Sequence, residues 1–173
     1  MNGSSKPILV AAFGNPDAGD DALGPMVARR LSQINPPHVE TLNLATNLGA
    51  MMCALNGRKM LLVVDAALIP DQKPGAVLDF DWYGPNKPNL WHDRTISTHG
   101  WSVIDQLSLA ATLNLLPQQV RLIVMTIESV ELGRTSEELL ERGARQIVER
   151  VLAWQSHLTT PVGSFPSAEA VFH

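Results

Sequence analysis

The sequence predicts an α/β sandwich built on a mostly parallel sheet. Three observations lead there. Short apolar runs alternate along the chain with segments of helical period. One run, Met60-Leu61-Leu62-Val63-Val64, is apolar on consecutive residues, which calls for burial on both faces, as in a parallel sheet. The resulting order, β-α-β-α-β-β-α-β-α, is the alternation that layers helices over a parallel sheet.

Taken in order, Ile8 to Phe13 is a buried strand. Leu23, Val27 and Leu31 then recur at helical spacing, with Gly24 and Pro25 in the first turn and Pro36-Pro37 as the stop. Val39 to Leu44 alternates as a half-buried strand. Asn47 to Leu55 is a short helix closed by Asn56-Gly57. The Met60 run ends in Asp65, and Ala76 to Phe80 is a further strand. Val103, Leu107, Ala110 and Leu113 mark a helix from Ser102 to Leu113, and Val120 to Ile127 is another buried strand. Thr135-Ser136-Glu137-Glu138 forms a capping box that opens a long helix to about His157.

A chain of 173 residues fits one domain, expected here as an ordered core over about residues 7–157 with a loose tail rich in Thr, Pro and Ser from Leu158 to His173. Charged residues make up only 17%, below the usual figure of about 25%, which argues against disorder. The net charge is −4 and no Lys or Arg run stands out, so a phosphate backbone is an unsuitable partner. No stretch approaches the roughly 20 apolar residues of a membrane span, and no signal-peptide core is present. The expectation is a soluble, cytoplasmic protein with no indication of homo-oligomers. The single cysteine, Cys53, lies mid-helix among Met51, Met52 and Leu55 and reads as core packing. Asp81 to Thr98, with Trp82, Tyr83, Trp91 and His92, is a long irregular segment. It is read equally as a surface loop with its rings folded on the core or as a lid over substrate.

Ligands of open α/β sheets bind beyond the carboxyl ends of the strands. The polar residues placed there are Asp20 and Asp21 in the first loop, Asp65, His99 in Thr98-His99-Gly100, and Glu128. A carboxylate ending a wholly apolar strand must be hydrogen-bonded, paired or metal-bound. Each residue also has a plainer reading: Asp65 as a cap or turn residue, Asp20 and Asp21 as helix caps, His99 as structural. Two adjacent acids explain capping less well than one, because they repel each other unless a cation is near. Together Asp21, Asp65 and His99 suit a divalent ion such as Ni²⁺, Zn²⁺ or Mn²⁺. Dinucleotide and Walker glycine patterns, a Gly-x-Ser-x-Gly elbow and a His-Glu-x-x-His helix are all missing. A phosphoacceptor receiver domain fits less well, since Glu128 stands where its lysine belongs.

Three motifs carry a resemblance. Ile8-Leu9-Val10 with Gly14-Asn15 and Gly19-Asp20-Asp21-Ala22-Leu23-Gly24-Pro25, then Leu62-Val63-Val64-Asp65-Ala66 with Pro74-Gly75, then Ser97-Thr98-His99-Gly100, resemble in order and spacing the [NiFe]-hydrogenase maturation endopeptidases. The resemblance runs from about Ile8 to Trp154. It implies a twisted five-stranded sheet and an endopeptidase that removes the C-terminal extension of the hydrogenase large-subunit precursor after nickel insertion. It also implies that Asp21, Asp65 and His99 meet the nickel, which the precursor supplies; from the residues themselves the expectation is that an acid from Asp20 or Asp21 assists water attack. Where many members have Asp-Gly-Gly after the second strand, this chain has Asn43-Leu44-Ala45 followed by Thr46 and Gly49, and Ala22 replaces a common glycine. Other readings of the same ligand set are a different metal-dependent hydrolase or a non-enzymatic nickel-binding or delivery protein.

Overall fold

The computed structural model describes residues 5–17, 19–45, 48–69, 71–84, 103–128 and 136–158. Five strands form one sheet: β1 (Ile8–Phe13), β2 (Val39–Ala45), β3 (Met60–Ala67), β4 (Val77–Asp81) and β5 (Gln119–Thr126). The helices are α1 (Leu23–Ile34), α2 (Leu48–Ala54), α3 (Val103–Thr112) and α4 (Glu137–Leu158), with a single 3₁₀ turn at Gly19–Asp21. This is the element order read from the sequence. Across the sheet the strands run β2-β1-β3-β5-β4. All neighbours are parallel except β4, which pairs antiparallel with β5 at the edge.

Strand alternation builds two cores. Ile8, Val10, Leu62, Val64, Ile123 and Met125 face one side, against Leu23, Val27 and Leu31 of α1 and Leu140, Ala144, Ile147 and Val151 of α4. Leu9, Ala11, Phe13, Leu61, Val63, Leu122 and Val124 face the other, against Met51 of α2 and Val103, Leu107 and Ala110 of α3. Because both faces are covered, every residue of β1 and β3 is buried, which is why these segments lack alternation in the sequence. Each such Leu or Val contributes about 1.5–3 kcal/mol of burial.

The β2-β1-β3 order creates a topological switch point. From β1 the chain moves through α1 to β2 on one side, then through α2 past β1 to β3 on its other side. Loops diverge at the carboxyl ends of β1 and β3 and leave a crevice there. Close packing beneath it rests on Gly24. A Cβ at that position would lie 1.8 Å from the Phe13 carbonyl oxygen, so α1 can seat on the end of β1 only with glycine there.

Several boundaries differ from the sequence expectation. Helix α1 ends at Asn35, in left-handed conformation (φ 47°), whose N–H donates to the Leu31 carbonyl, one residue before the prolines credited with the stop. The cap of α4 is Ser136: its Oγ accepts from the Leu139 N–H at 3.2 Å, so the cap sits one residue later than a Thr135–Glu138 box. Cys53 is exposed and is not core packing. Met51 turns inward on α2, and two residues further, about 200° round the helix, a side chain points outward. Trp82 is buried among the α2/α3-side residues, which favours the folded-back reading for that ring. Trp91, His92 and the tail beyond Leu158 lie outside the described residues. Among the described residues no helix is long and apolar enough to cross a membrane.

Candidate functional site

Asp65 is not the last residue of its strand. β3 continues to Ala67, and Asp65 lies opposite Val124 of β5. The pairing of β3 with β1, however, stops at Ala12 opposite Val64. Asp65 is thus the first residue of β3 beyond its pairing with β1, level with Phe13 at the end of that strand, held by a full ladder to β5 on one side and released from the ladder on the other. Its parity with Leu61 and Val63 puts it on the α2/α3 face. The carboxylate is 4% exposed and its Oδ1 accepts from the Ala66 N–H at 2.9 Å.

Asp21 reaches the same crevice from the loop after β1. The chain leaves β1 through Gly14, whose φ of +136° is open to glycine, and an added Cβ would lie 2.1 Å from the Asp21 carbonyl oxygen. The Asn15 N–H donates to Asp21 twice, to its carbonyl at 3.1 Å and to its side-chain Oδ2 at 2.9 Å. The Asn15 side chain in turn accepts from the Asp17 N–H at 3.0 Å. These bonds fold the loop back so that the 3₁₀ turn packs on β3 with Asp21 buried.

The capping explanation for the first-loop acids fails for Asp21. The N-cap of α1 is Ala22, with no side-chain cap bond, and no acid lies in the first turn of α1. The Asp21 carboxylate is spent on Asn15 and on the crevice. The plain turn reading of Asp65 fails too, since it sits in mid-ladder.

Electrostatics tie the two acids together. Burial pushes the Asp65 carboxyl up to about 7, the Ala66 hydrogen bond pulls it down, and the nearby charge of Asp21 pushes it up again. A cation between them would offset both the desolvation and the repulsion.

Of the residues singled out in the sequence, Asp21 and Asp65 are brought together and Glu128 is exposed at the end of β5. Asp20 belongs to the same turn as Asp21, but its side chain lies outside the described residues, as does His99. Among the described residues no three His, Cys, Asp or Glu side chains gather as a metal site. The sequence reading missed the part played by Gly14 and Asn15. A glycine directly after a buried strand, followed by Asn, was the available signal.

Fold and site define a doubly wound α/β protein with a buried carboxylate pair at its topological switch point. The chain belongs to the hydrogenase maturation protease family, whose HycI model matches residues 25–154. The fold is similar to that of the hydrogenase maturating endopeptidase HybD from E. coli, with 26% identity over 88% of this chain and 93% of that one and a TM-score of 0.72. It is similar also to the [NiFe] hydrogenase maturation protease HybD from Thermococcus kodakarensis, with 24% identity over 85% and 97% and a TM-score of 0.70. A hydrogenase 2 maturation peptidase from Thaumarchaeota archaeon SCGC_AB-539-E09 is 25% identical over 87% and 98%, with a TM-score of 0.61. Among curated proteins none matches by sequence.

Proposed function

We propose that this protein is the endopeptidase that removes the C-terminal extension of a [NiFe]-hydrogenase large-subunit precursor once nickel has been inserted. The observation that carries the proposal is the buried pair of Asp21, in the turn after β1, and Asp65, near the carboxyl end of β3, in a chain of the maturation protease family. Two carboxylates and an imidazole suit a nickel ion that still has open positions. His99 is the third ligand in this reading. His99 takes that part through its place in the Ser97-Thr98-His99-Gly100 motif.

The nickel is part of the substrate, carried by thiolates of the precursor. Its role is to hold the segment to be cut against Asp21, Asp65 and His99, so that a precursor without metal is not positioned. Peptide hydrolysis then needs a base for the attacking water. Asp20 or Asp21 takes that proton, the water oxygen bonds to the carbonyl carbon, and the proton passes to the leaving amine as the C–N bond breaks. Loss of the extension frees the large subunit to close over its metal centre.

The test is incubation with nickel-loaded and nickel-free precursor. Shortening of the loaded form alone is expected. No shortening of either sinks the proposal. Asp65→Asn and His99→Ala should each stop processing with the fold intact, and retained cutting in both would remove the nickel-recognition model. Titration of the isolated protein with nickel should show weak binding, because the precursor provides the other ligands.

A further inference from the structure

The amino edge of the sheet, remote from the carboxylate pair, holds a hollow of its own. Met60 opens β3, Gln119 opens β5 opposite Met60, and Asp81 closes the antiparallel β4 opposite Arg121. With Tyr83 and with Trp154 of α4 they line a cavity of about 210 Å³. Met60 lies five residues before Asp65 in one extended strand, which puts roughly 17 Å between those two residues.

We infer that this cavity is a binding site for a small organic cation, an alkylammonium or alkylguanidinium with a short apolar stem. The site is separate from the catalytic crevice and stands whether or not the chain cuts a precursor. Its lining is rich in acceptors with unspent capacity. Gln119 Oε1 is buried and accepts no hydrogen bond from the described residues. A buried amide oxygen without a donor is costly, so such an atom beside a cavity marks a place for one. The last torsion of a glutamine side chain is broad, and the amide can turn this oxygen toward an arriving donor at little cost. Tyr83 spends its O–H on the Pro117 carbonyl at 3.0 Å, which leaves the phenolic oxygen as an acceptor. Asp81 Oδ1 accepts from the Tyr83 N–H at 2.9 Å, while its Oδ2 stands 3.6 Å from Arg121 Nη1, beyond hydrogen-bond length.

Charge decides between a neutral ligand and a cation. Arg121 is the cation of the described lining, and its charge is already met: its Nε and Nη2 each lie 2.8 Å from Asp79 Oδ1, and its guanidinium stands 5.6 Å from the centre of the Trp154 ring. Asp79 is attracted to Arg150 as well, and neither of these two lines the cavity. The half-exposed Asp81 carboxylate is therefore the charge that faces the cavity without a close partner. An anion would meet this carboxylate and further acceptors, and a neutral amide would leave the carboxylate unpaired. A cation bearing several N–H groups satisfies both the charge and the acceptors. Met60 and Trp154 give apolar surface for a stem of a few methylenes.

The experiment follows the indole N–H resonance of Trp154 in the full chain by NMR, assigned by its loss in Trp154→Phe. Titration with n-butylammonium or n-butylguanidinium should shift it saturably, with half-saturation on the order of 1 mM, and uncharged butyramide should not. Asp81→Asn and Gln119→Leu should each weaken binding about five- to tenfold. Thermal melting shows whether each variant is folded, and Asp81→Ser replaces Asp81→Asn should the latter not fold. A peptide, acetyl-Ala-Lys-Ala-amide, separates the sources of such a cation. Binding as tight as that of n-butylammonium supports the site as a socket for a basic side chain of a partner protein, and exclusion of the peptide supports it as a site for a free amine. No saturation below about 50 mM, an equal shift from butyramide, or an affinity unchanged in either folded variant overturns the site.

Discussion

Replacing Asp65 by Asn should make the protein more stable and inactive at once. In the folded chain the carboxyl is pushed from its ordinary 3.8 up to about 7, by burial first and by Asp21 second. Between those two values the folded state holds a proton that the unfolded state has released. Stability therefore falls as pH rises through this window, and the full cost is present above about pH 7. At 1.36 kcal/mol per unit, a rise of about 3 units amounts to roughly 4 kcal/mol. Asn keeps the shape and the acceptor for the Ala66 N–H but carries no charge. Its extra amide protons need a partner, and the Asp21 carboxylate is the nearest acidic neighbour named by the electrostatics. That local term does not vary much with pH, so the informative quantity is a difference. The stability gap between Asp65→Asn and the unaltered chain should widen in favour of the variant by about 3 kcal/mol from pH 4 to pH 8. For a domain of this size that is a melting-temperature change of roughly 6–12 °C. Urea or thermal unfolding with a chelator present would read it, since a bound cation would cancel the charge cost. A gap independent of pH, or one that narrows as pH rises, would refute the reasoning. The trade is the familiar one in which a site keeps a costly charge for its chemistry.

Other perturbations have equally definite outcomes. Gly24→Ala drives a methyl into the Phe13 carbonyl and should cost about 3 kcal/mol or more, read as a lowered urea midpoint; an unchanged midpoint would mean α1 seats differently on β1. Ser136→Ala removes the α4 cap and should cost about 1 kcal/mol in urea unfolding with no effect on processing. Arg58→Ala breaks the ion pair to Glu40 and the bond to the Ala54 carbonyl, both 2.8 Å, and should lower stability by about 2 kcal/mol, screened only weakly by salt because the guanidinium is buried. Cys53, being exposed, should react with a thiol reagent in the native protein at a rate close to that of the unfolded chain.

The elements were legible because their cause is local. An uninterrupted apolar run such as Met60–Val64 can only be a strand or helix covered on both faces, and its length chooses the strand. Helical spacing in Leu23, Val27 and Leu31 is likewise a property of a dozen residues. Placing acids and a histidine at strand ends narrowed the site to a handful of residues for the same reason, since a charge next to such a run needs an account wherever the run packs. Errors arose where the deciding atom was one residue away. Asn35 stops α1 ahead of the prolines, Ser136 caps α4, and Cys53 faces outward because it lies about 200° round the helix from the buried Met51.

What this sequence determined by itself is the strand and helix identity of its segments, the parallel character of the sheet and the short list of acids at its carboxyl edge. Tertiary structure alone decided that Asp21 and Asp65 meet. That depends on β1 lying beside β3 with their pairing ending one residue before Asp65, and on the Asn15 bonds to Asp21 folding the first loop back. It also decided that Arg29 and Glu137, more than a hundred residues apart, share one cavity through the packing of α1 on α4. The reason is that periodicity is written within each window of sequence, whereas strand order and loop direction follow from the joint burial of all the elements at once.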